Sequence, residues 1–474
     1  MEARVRRDQR RARRKPVEEH RGGSGWLLVA PFLLLPGILL GGDSIIKYAL
    51  WLGGLTCALY GLWSLRHDSG ALRAWGVTFG LVVGAVFGWL GVQAMTTHDT
   101  TSTSLVASPT TEAVASGVQL GPANATPNSS LFSASAPLFR GDSSLSGAQP
   151  GPAPKGSPKL AWRFDTGAEL LSSPVLDKGT LYIASKTGDL LAVDASTGSL
   201  RWRTHLTEYV IRSSPSVSND TVYVGAGFSL FAINAQTGET RWKADMRYVG
   251  QSTPTVADGI VVIASQEEWM FGYDARTGAM VWRIPTDGVV FGAPAIANGS
   301  VAFGSDKGTV YSVKLSTGEL IWRKTVDGGV VAPAVFAGDR VIVSTDRGQT
   351  LAFSADKGDP LWSAEVGTLQ PMAATQDVVV IAATDGGIHA LSLGDGSASW
   401  LYPTGERTIG APTTVGGAVV VGAGSSLLAL DAKGTLLGYY LAQGAVTTSP
   451  VTADGYTFFG SADGFLYAVT SGSS

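Results

Sequence analysis

Cysteine is almost absent from this sequence: Cys57 is the single one among 474 residues, and it lies in an apolar run. One cysteine excludes an intrachain disulfide framework and a CxxC redox or zinc motif. Histidine is scarce as well, and no two of the five histidines have the spacing of an HExxH metal site. A GxSxG nucleophile elbow and a phosphate-binding loop are also missing, so the sequence offers no catalytic, cofactor-binding or metal-binding residue.

Charged residues are few, at 15% of the chain, and they are unevenly placed. Residues 1–21 carry nine arginine and lysine residues against four acidic ones, a net charge of about +5. From Lys159 to the end there are 21 basic and 29 acidic residues, a net charge of about −8. The large C-terminal part therefore has no basic surface for nucleic acid, and we expect no nucleic-acid partner.

Long apolar runs are confined to the first hundred residues. They cover about 26–41, 45–65 and 74–95, with Pro31 and Pro36 in the first run and Lys47 as the one charge in the second. A helix needs about 20 apolar residues to cross a bilayer, which the second and third runs satisfy. Residues 24–95 are therefore predicted to form three transmembrane helices after a basic tail of residues 1–23. The first run is short, and a cleaved signal peptide is an alternative interpretation of it.

The basic residues between these runs predict an orientation. The tail and the loop with Arg66 and Arg73 should lie in the cytoplasm, whereas residues 42–44 contain no basic residue and should face outward. Three spans then place everything after Met95 outside the cytoplasm. We expect an integral protein of a bacterial plasma (inner) membrane with a cytoplasmic N-terminus.

Residues 96–158 differ in composition from the parts on either side. They are rich in Ser, Thr, Ala, Pro and Gly, and their only aromatic residues are Phe132 and Phe139. Such a composition buries too little apolar surface to offset the entropy of folding. The segment is predicted to be a disordered linker.

Tryptophan recurs about every 40 residues in the C-terminal part. The series is Trp162, Trp202, Trp242, Trp282, Trp322, Trp362 and Trp400. A second series gives an independent count of eight repeats: Pro174, Pro215, Pro254, Pro294, Pro333, Pro371, Pro412 and Pro450. Periods of roughly 40–45 residues with strand patterning are typical of β-propeller blades.

One repeat shows how the strands are arranged. Residues 294–297 and 301–304 flank the two-residue turn Asn298-Gly299, in which glycine supplies a positive φ. Residues 309–315 alternate between polar and apolar side chains, and the turn at Thr317-Gly318 leads into the strand that contains Trp322. Four short antiparallel strands make one blade, whose apolar faces need neighbouring blades to cover them.

The two ends of the repeat region also match a ring. It begins with a lone strand around Trp162 and ends at residues 465–468 with no outer strand, so the first strand can complete the last blade and remove a free edge. The predicted fold class is all-β: residues 159–474 form an eight-bladed propeller of four-stranded antiparallel blades, closed by the N-terminal strand and preceded by the helical transmembrane domain. The seventh outer strand is degenerate, with Tyr439 or Tyr440 where tryptophan is expected.

A short motif resembles the repeat of pyrroloquinoline-quinone (PQQ)-type β-propellers. It reads AVDASTGSLRW at residues 192–202, and residues 232–242 repeat it closely. The resemblance covers residues 159–474 and implies that the tryptophans are structural wedges between blades. The family includes quinoprotein dehydrogenases and non-enzymatic members such as the propeller lipoprotein of the outer-membrane β-barrel assembly machinery, which this chain resembles more in style.

The resemblance also implies what an enzyme of this family would need. Its dehydrogenases hold the quinone with a Ca²⁺ ion bound by Glu, Asn and Asp, and many stack an adjacent Cys–Cys disulfide on it. The repeats of this chain contain no cysteine and no long insertion that could build such a pocket. We therefore expect no cofactor.

What remains is a surface for binding. In a four-stranded blade, the loops that enter the inner strand share one face with the loops between the second and third strands. Aromatic residues and arginine are enriched at protein interfaces, and on this face we place ten candidate interaction residues: Tyr209, Arg212, Tyr248, Gln251, Glu267, Glu268, Trp269, Phe291, Arg347 and Arg407. The sequence thus favours a non-catalytic, membrane-anchored envelope protein that presents a propeller to a protein or extracellular polymer. A membrane-bound PQQ-dependent dehydrogenase is the alternative.

Overall fold

The computed structural model describes residues 132–471, apart from residues 153, 155, 250 and 407–409. In these residues the chain forms 33 β-strands, and none of its segments there is a helix that could span a bilayer. The basic tail and the three predicted membrane helices lie outside the described residues. The eight-bladed all-β propeller that the sequence predicts is confirmed.

Two strands precede the first complete blade, β1 (Ala148–Gln149) and β2 (Lys159–Asp165). Blades 1 to 4 then follow the chain, each with four antiparallel strands and the innermost strand first. Their strands are, for blade 1, β3 (Val175–Asp177), β4 (Thr180–Ala184), β5 (Asp189–Asp194) and β6 (Leu200–His205); for blade 2, β7 (Ser216–Ser218), β8 (Thr221–Ala226), β9 (Ser229–Asn234) and β10 (Thr240–Asp245); for blade 3, β11 (Thr255–Ala257), β12 (Ile260–Ser265), β13 (Trp269–Asp274) and β14 (Met280–Pro285); and for blade 4, β15 (Ala295–Ala297), β16 (Ser300–Gly304), β17 (Thr309–Lys314) and β18 (Leu320–Thr325).

Blades 5 to 7 repeat this order, and blade 8 closes the ring. Their strands are, for blade 5, β19 (Val335–Ala337), β20 (Arg340–Ser344), β21 (Thr350–Ser354) and β22 (Pro360–Ala364); for blade 6, β23 (Ala373–Ala374), β24 (Val378–Ala382), β25 (Gly387–Ser392) and β26 (Ala398–Pro403); for blade 7, β27 (Thr413–Val415), β28 (Ala418–Ala423), β29 (Ser426–Leu430) and β30 (Leu436–Leu441); and for blade 8, β31 (Val451–Ala453), β32 (Tyr456–Gly460) and β33 (Phe465–Thr470). The outer strand of blade 8 is β2, which pairs antiparallel with β33 and places Trp162 opposite Ala468. Closure by the N-terminal strand is therefore confirmed.

The core of the propeller lies between the blades. Eight clusters of buried apolar side chains each combine residues of two adjacent blades, and the cluster between blades 8 and 1 joins Val451, Phe458 and Leu466 to Leu181 and Ile183. The second and third strands are buried on both faces, and the outer strands alternate between exposed and half-buried residues. This pattern is expected of blades that are covered on both sides by their neighbours.

Each of the seven tryptophans of the repeat series is a wedge between two blades, in the arrangement that the family resemblance implied. The indole Nε1 of Trp282 donates to the backbone oxygen of Leu315 in the next blade at 2.7 Å, and the other six tryptophans of the series make the equivalent bond. The ring lies against the glycine of the outer hairpin of that blade. A Cβ atom at Gly318 would come within 2.9 Å of the Trp282 ring, so glycine is required there for its size as well as for its φ of 73°.

Blade 7 departs from this pattern. The position that pairs with Ala429, where the other blades carry tryptophan, is Gly438, so the expectation that Tyr439 or Tyr440 replaces it is wrong. Blade 8 has no outer hairpin, because its outer strand comes from the start of the propeller, and a tryptophan here would have no glycine to pack on. The backbone of Gly156 passes over Gly438 instead, with its oxygen 2.4 Å from where a Cβ would stand.

Residues 132–149 form an ordered segment that closes the channel of the propeller, and we call it the plug. Its backbone bonds in turn to the innermost strands of blades 1, 2, 4, 5, 6 and 7, beginning with Ala136 on Leu176 and ending with β1 on β27. Phe132, Phe139 and Leu145 are buried in clusters between blades. The prediction of a disordered linker is therefore wrong for residues 132–149, because these few apolar side chains and the free inner edges of the blades supply the partners that the segment itself lacks.

Candidate functional site

The loops that enter the inner strands and the loops between the second and third strands lie on one end of the propeller, which we call the loop face. The turns between the first and second strands and between the third and fourth strands, such as that at Thr237-Gly238, lie on the opposite end. We call that end the hairpin face. The plug approaches from the hairpin face, where the backbone nitrogens of Ser133 and Ala134 donate to Asp454 at 2.8 and 3.0 Å. The loop face is thus the end of the axis opposite the side from which the described part of the plug enters.

An exposed group of three aromatic side chains stands on the loop face of blade 2, and we call it the aromatic patch. Tyr209, Phe228 and Tyr248 have exposed fractions of 52%, 49% and 38%. The ring of Phe228 lies 5.3 Å from that of Tyr209, edge to face, and 5.7 Å from that of Tyr248. Tyr209 and Tyr248 are among the residues proposed from the sequence. Phe228 was missed, although an aromatic residue at the tip of the tight turn after Gly227 is a signal in itself.

A cavity of about 250 Å³ lies on the propeller axis. Its first ring consists of one residue from each of seven blades, four positions before the inner strand: Leu171, Arg212, Gln251, Phe291, Val331, Leu369 and Thr447. Phe139 of the plug also lines the cavity. Arg212, Gln251 and Phe291, proposed separately from the sequence, are thereby brought together around one space.

The second ring of the cavity contains a chain of hydroxyl groups across blades 8, 1, 2 and 3. The backbone nitrogen of Ser449 donates to Ser173 Oγ at 2.9 Å, that of Ser173 to Ser214 Oγ at 2.8 Å, and that of Ser214 to Thr253 Oγ1 at 3.0 Å. These bonds satisfy backbone donors at the narrowest part of the ring, where the inner strands converge. They explain why the residue before the repeat proline is so often Ser or Thr.

Arg140 of the plug is buried close to this ring, with an exposed fraction of 2%. Its guanidinium donates to the backbone oxygens of Met372, at 2.7 Å, and Pro412, and to Ser449 Oγ at 3.3 Å. Burial lowers the pKa of Arg140 to about 9, and the negative charge of Asp142 opposes this shift. The side chain therefore still carries its positive charge at neutral pH.

The two proposed glutamates of the loop face are engaged in exposed ion pairs. Glu267 pairs with Arg247, and Glu268 Oε1 lies 3.3 Å from Lys307 Nζ. All four side chains are more than 40% exposed, so each pair stabilises the fold by at most about 1 kcal/mol. These residues are available to a partner but do not define a pocket.

Two further proposed residues, Trp269 and Arg347, do not line the axial cavity. Trp269 is half-buried at the start of β13, with the Arg283 guanidinium 5.0 Å from its ring centroid. Arg347 forms an exposed ion pair with Asp327. Arg407 lies outside the described residues.

One titratable cluster lies at the end of β6. His205 Nδ1 is 2.8 Å from Asp189 and its Nε2 is 3.1 Å from Glu208. The hydrogen bonds to Asp189 and then to Glu208 raise the pKa of His205 above 6.5. Both ring nitrogens are hydrogen-bonded to carboxylates, and no serine, threonine or cysteine of the described chain bonds to them. The cluster therefore has the geometry of an ion-pair group and not of a catalytic dyad.

The residues around the axis do not fit a quinone held with a metal ion. Among the lining residues that the structure describes there is no Asp, Glu, His or Cys, and in the same part of the chain no three such residues gather into a potential metal site. Ca²⁺ is bound by oxygen ligands that normally include carboxylates. We therefore assign no redox step to this cavity.

Known proteins resemble the chain over the propeller. The family model described as outer membrane protein assembly factor BamB matches residues 155–246, 226–303 and 272–474. Tetrathionate hydrolase of Acidithiobacillus ferrooxidans is 34% identical over 65 residues, 14% of this chain, and the chain spans only 13% of that relative.

Two solved structures show the same fold. BamB from Moraxella catarrhalis is 19% identical, with a TM-score of 0.59 over 66% of this chain and 99% of BamB. Quinohemoprotein alcohol dehydrogenase from Comamonas testosteroni is 14% identical, with a TM-score of 0.60 over 72% of this chain and 81% of the enzyme. At such low sequence identities, the similarity shows a shared fold and not a shared function. Because the family model covers more than half of the sequence, the chain belongs to the PQQ-like β-propeller family that the BamB model describes.

Proposed function

We propose that this protein is a non-catalytic binding or scaffold protein of the bacterial envelope, anchored in the plasma membrane, whose propeller binds a protein or extracellular polymer through its loop face. The observation that carries the proposal is the aromatic patch of Tyr209, Phe228 and Tyr248. Phe228 contacts both tyrosines, and all three large aromatic side chains are more than a third exposed on one face. Clustered aromatic residues are the usual anchors of binding surfaces.

The direction of the chain supports the use of this face. The plug reaches the propeller from the hairpin face, where Ser133 and Ala134 bond to Asp454. The first described residues of the plug therefore lie at the end of the propeller opposite the aromatic patch. The basic tail and the loop with Arg66 and Arg73 support a propeller outside the cytoplasm.

The alternative function is a membrane-bound PQQ-dependent dehydrogenase. The likeness of the fold to quinohemoprotein alcohol dehydrogenase favours it, since that protein is an enzyme. The axial cavity argues against it, because its described lining offers hydroxyl, amide and guanidinium groups but no carboxylate for a cation. The binding function is therefore the better supported of the two.

A dye-reduction assay distinguishes the two functions. Full-length protein purified in detergent is incubated with PQQ and Ca²⁺, and reduction of an artificial electron acceptor is followed with glucose or alcohols as substrates. A binding protein gives no turnover above the protein-free control. Turnover that depends on protein, quinone and substrate together would make the dehydrogenase the correct assignment.

A topology reporter tests the location independently. Fusion of an enzyme that is active only outside the cytoplasm after Ser474 should give an active reporter, and fusion of one that is active only inside should not. The reverse result would refute the predicted orientation.

A further inference from the structure

We propose that the axial cavity binds the oxyanion group of an amphiphilic ligand, a carboxylate or phosphate attached to a short apolar body. This inference rests on the proposed function, because it names the chemistry of a ligand at the same loop face. It is carried by three features of the cavity that are independent of the aromatic patch: its charge, its hydroxyl groups and the division of its wall into a polar and an apolar half.

The charge of the cavity is positive. Arg212 lies in the first ring and is exposed, and it forms no ion pair with any described carboxylate. Arg140 adds a second positive charge beside Ser449 in the second ring. None of the eighteen described lining residues is acidic. A cavity bounded by protein concentrates such a field, so an anion is attracted and a cation is repelled.

Four hydroxyl groups provide the hydrogen-bond donors that an oxyanion needs. Ser173, Ser214, Thr253 and Ser449 have exposed fractions of only 7%, 4%, 5% and 6%. Each oxygen accepts a bond, from a backbone nitrogen of the adjacent blade or from Arg140. Within the described part of the chain none of them donates a hydrogen bond to another protein group, so each of the four hydroxyl groups retains a donor for a ligand in the cavity.

A donor that is buried without an acceptor is costly, typically by about 1–3 kcal/mol. Water can meet part of this need, since the cavity volume corresponds to roughly eight molecules at about 30 Å³ each. An oxyanion meets it better, because two or three oxygen atoms can accept from several hydroxyl groups at once and charge-assisted bonds are the stronger ones. The arrangement is thus complementary to an anion and not merely polar.

The wall on the other side is largely apolar. Its apolar residues are Phe291, Ala293, Val331, Pro333, Leu369 and Pro371, from blades 4, 5 and 6, and Gln370 is the one polar residue among the described lining of these blades. A ligand that fills the cavity therefore places its oxyanion against blades 8, 1, 2 and 3 and an apolar body against the opposite half. Benzoate has this form, and benzamide is its neutral counterpart of nearly the same shape.

The test is a ligand-observed NMR titration of the full-length protein in detergent. Benzoate should bind at least about tenfold more tightly than benzamide, a difference of about 1.4 kcal/mol. Its affinity should fall as the salt concentration rises, because the attraction is partly screened. Phosphate should compete with benzoate. The comparison is repeated with N-acetyl-phenylalanine, whose carboxylate corresponds to the C-terminus of a polypeptide, and with its neutral amide. The affinities of benzoate and N-acetyl-phenylalanine then show whether the site prefers a small free acid or the end of a peptide.

Variants at two arginine positions locate the site. Arg212→Ala should weaken benzoate binding at least about tenfold, the usual size of a lost charge-assisted bond, and Arg212→Lys should retain part of it. Arg347→Ala is the matched control, since it removes a loop-face arginine that pairs with Asp327 away from the cavity, and should leave the affinity unchanged. Both positions are exposed, and thermal melting confirms that each variant is folded.

The proposal is overturned by equal affinities for benzoate and benzamide, by absence of benzoate binding throughout the millimolar range, or by equal losses in Arg212→Ala and Arg347→Ala. These results would leave the binding function itself intact, because the aromatic patch and the dye-reduction assay do not depend on the cavity. A failure of the binding function would show separately as quinone-dependent turnover.

Discussion

Substitution of Gly318 by alanine tests the packing that holds the blades together. Gly318 lies in the outer hairpin of blade 4 with a φ of 73°, and its Cβ would stand 2.9 Å from Cδ2 and Cε3 of Trp282. Gly299 lies in the inner hairpin of the same blade with a φ of 70°, and its Cβ would meet no atom within 4 Å. The two glycines therefore share the backbone strain and differ only in the tryptophan contact.

The expected magnitudes follow from this difference. A non-glycine residue in the left-handed region costs about 1–2 kcal/mol, which both variants incur. Alanine at position 318 must also displace an aromatic ring that is 94% buried and hydrogen-bonded to Leu315, and such overpacking costs typically about 1–3 kcal/mol more. We expect Gly299→Ala to lower the free energy of unfolding by about 1–2 kcal/mol and Gly318→Ala by about 2–5 kcal/mol.

Urea denaturation of full-length variants in the same detergent measures both values. A third variant, Trp282→Ala, should lose about 3–5 kcal/mol because a large buried aromatic ring is removed. In that background the additional cost of Gly318→Ala should fall to that of Gly299→Ala, since the clash is gone. Equal costs of the two glycine variants in the native background would show that the tryptophan does not press on the hairpin.

Three further predictions concern the plug, the ring closure and the histidine cluster. Arg140→Ala should lower the free energy of unfolding by about 1.5–3 kcal/mol, measured by urea denaturation, because two buried carbonyl oxygens lose charged donors. Deletion of residues 159–165 should lower the melting temperature markedly, since β33 becomes a free edge, whereas an unchanged melting point would contradict closure by β2. The stabilising contribution of His205 should be complete below pH 6.5 and be lost as pH rises through its raised pKa; the His205→Gln variant should lack this pH dependence of stability in denaturation experiments at several pH values.

The ring itself could be predicted from the sequence because its cause is periodic. Seven of the eight blades carry the tryptophan, seven carry the outer-hairpin glycine and all eight carry the proline before the inner strand, so the spacing of Trp202 and Trp242 indicates the blade directly. Closure could be predicted from a surplus strand at the start and a missing one at the end. These residues make contacts that are repeated between neighbouring blades, and each residue type recurs seven or eight times at the same spacing in the sequence.

Features that occur once could not be predicted in this way. The plug is held by bonds between its backbone and the inner strands, as in the contact of Ala136 with Leu176, and such bonds leave no trace in composition. Position 438 is glycine and not tryptophan because the backbone of Gly156, more than 270 residues earlier in the chain, passes over it. Phe228 joins Tyr209 and Tyr248 only after two consecutive loops and a turn are folded onto one face. Contacts that depend on such distant parts of the chain need the structure.

Site-specific photo-crosslinking in native cells tests the central claim most directly. A photoreactive amino acid is placed at Phe228 in the aromatic patch and, as a control, at Gln236, which is exposed on the hairpin face of the same blade. A partner that binds the loop face should give a discrete adduct from position 228 and not from position 236. The adduct should weaken when Tyr209→Ala and Tyr248→Ala are combined in the same chain. Adducts of equal yield from both positions, or from position 236 alone, would contradict binding through the loop face.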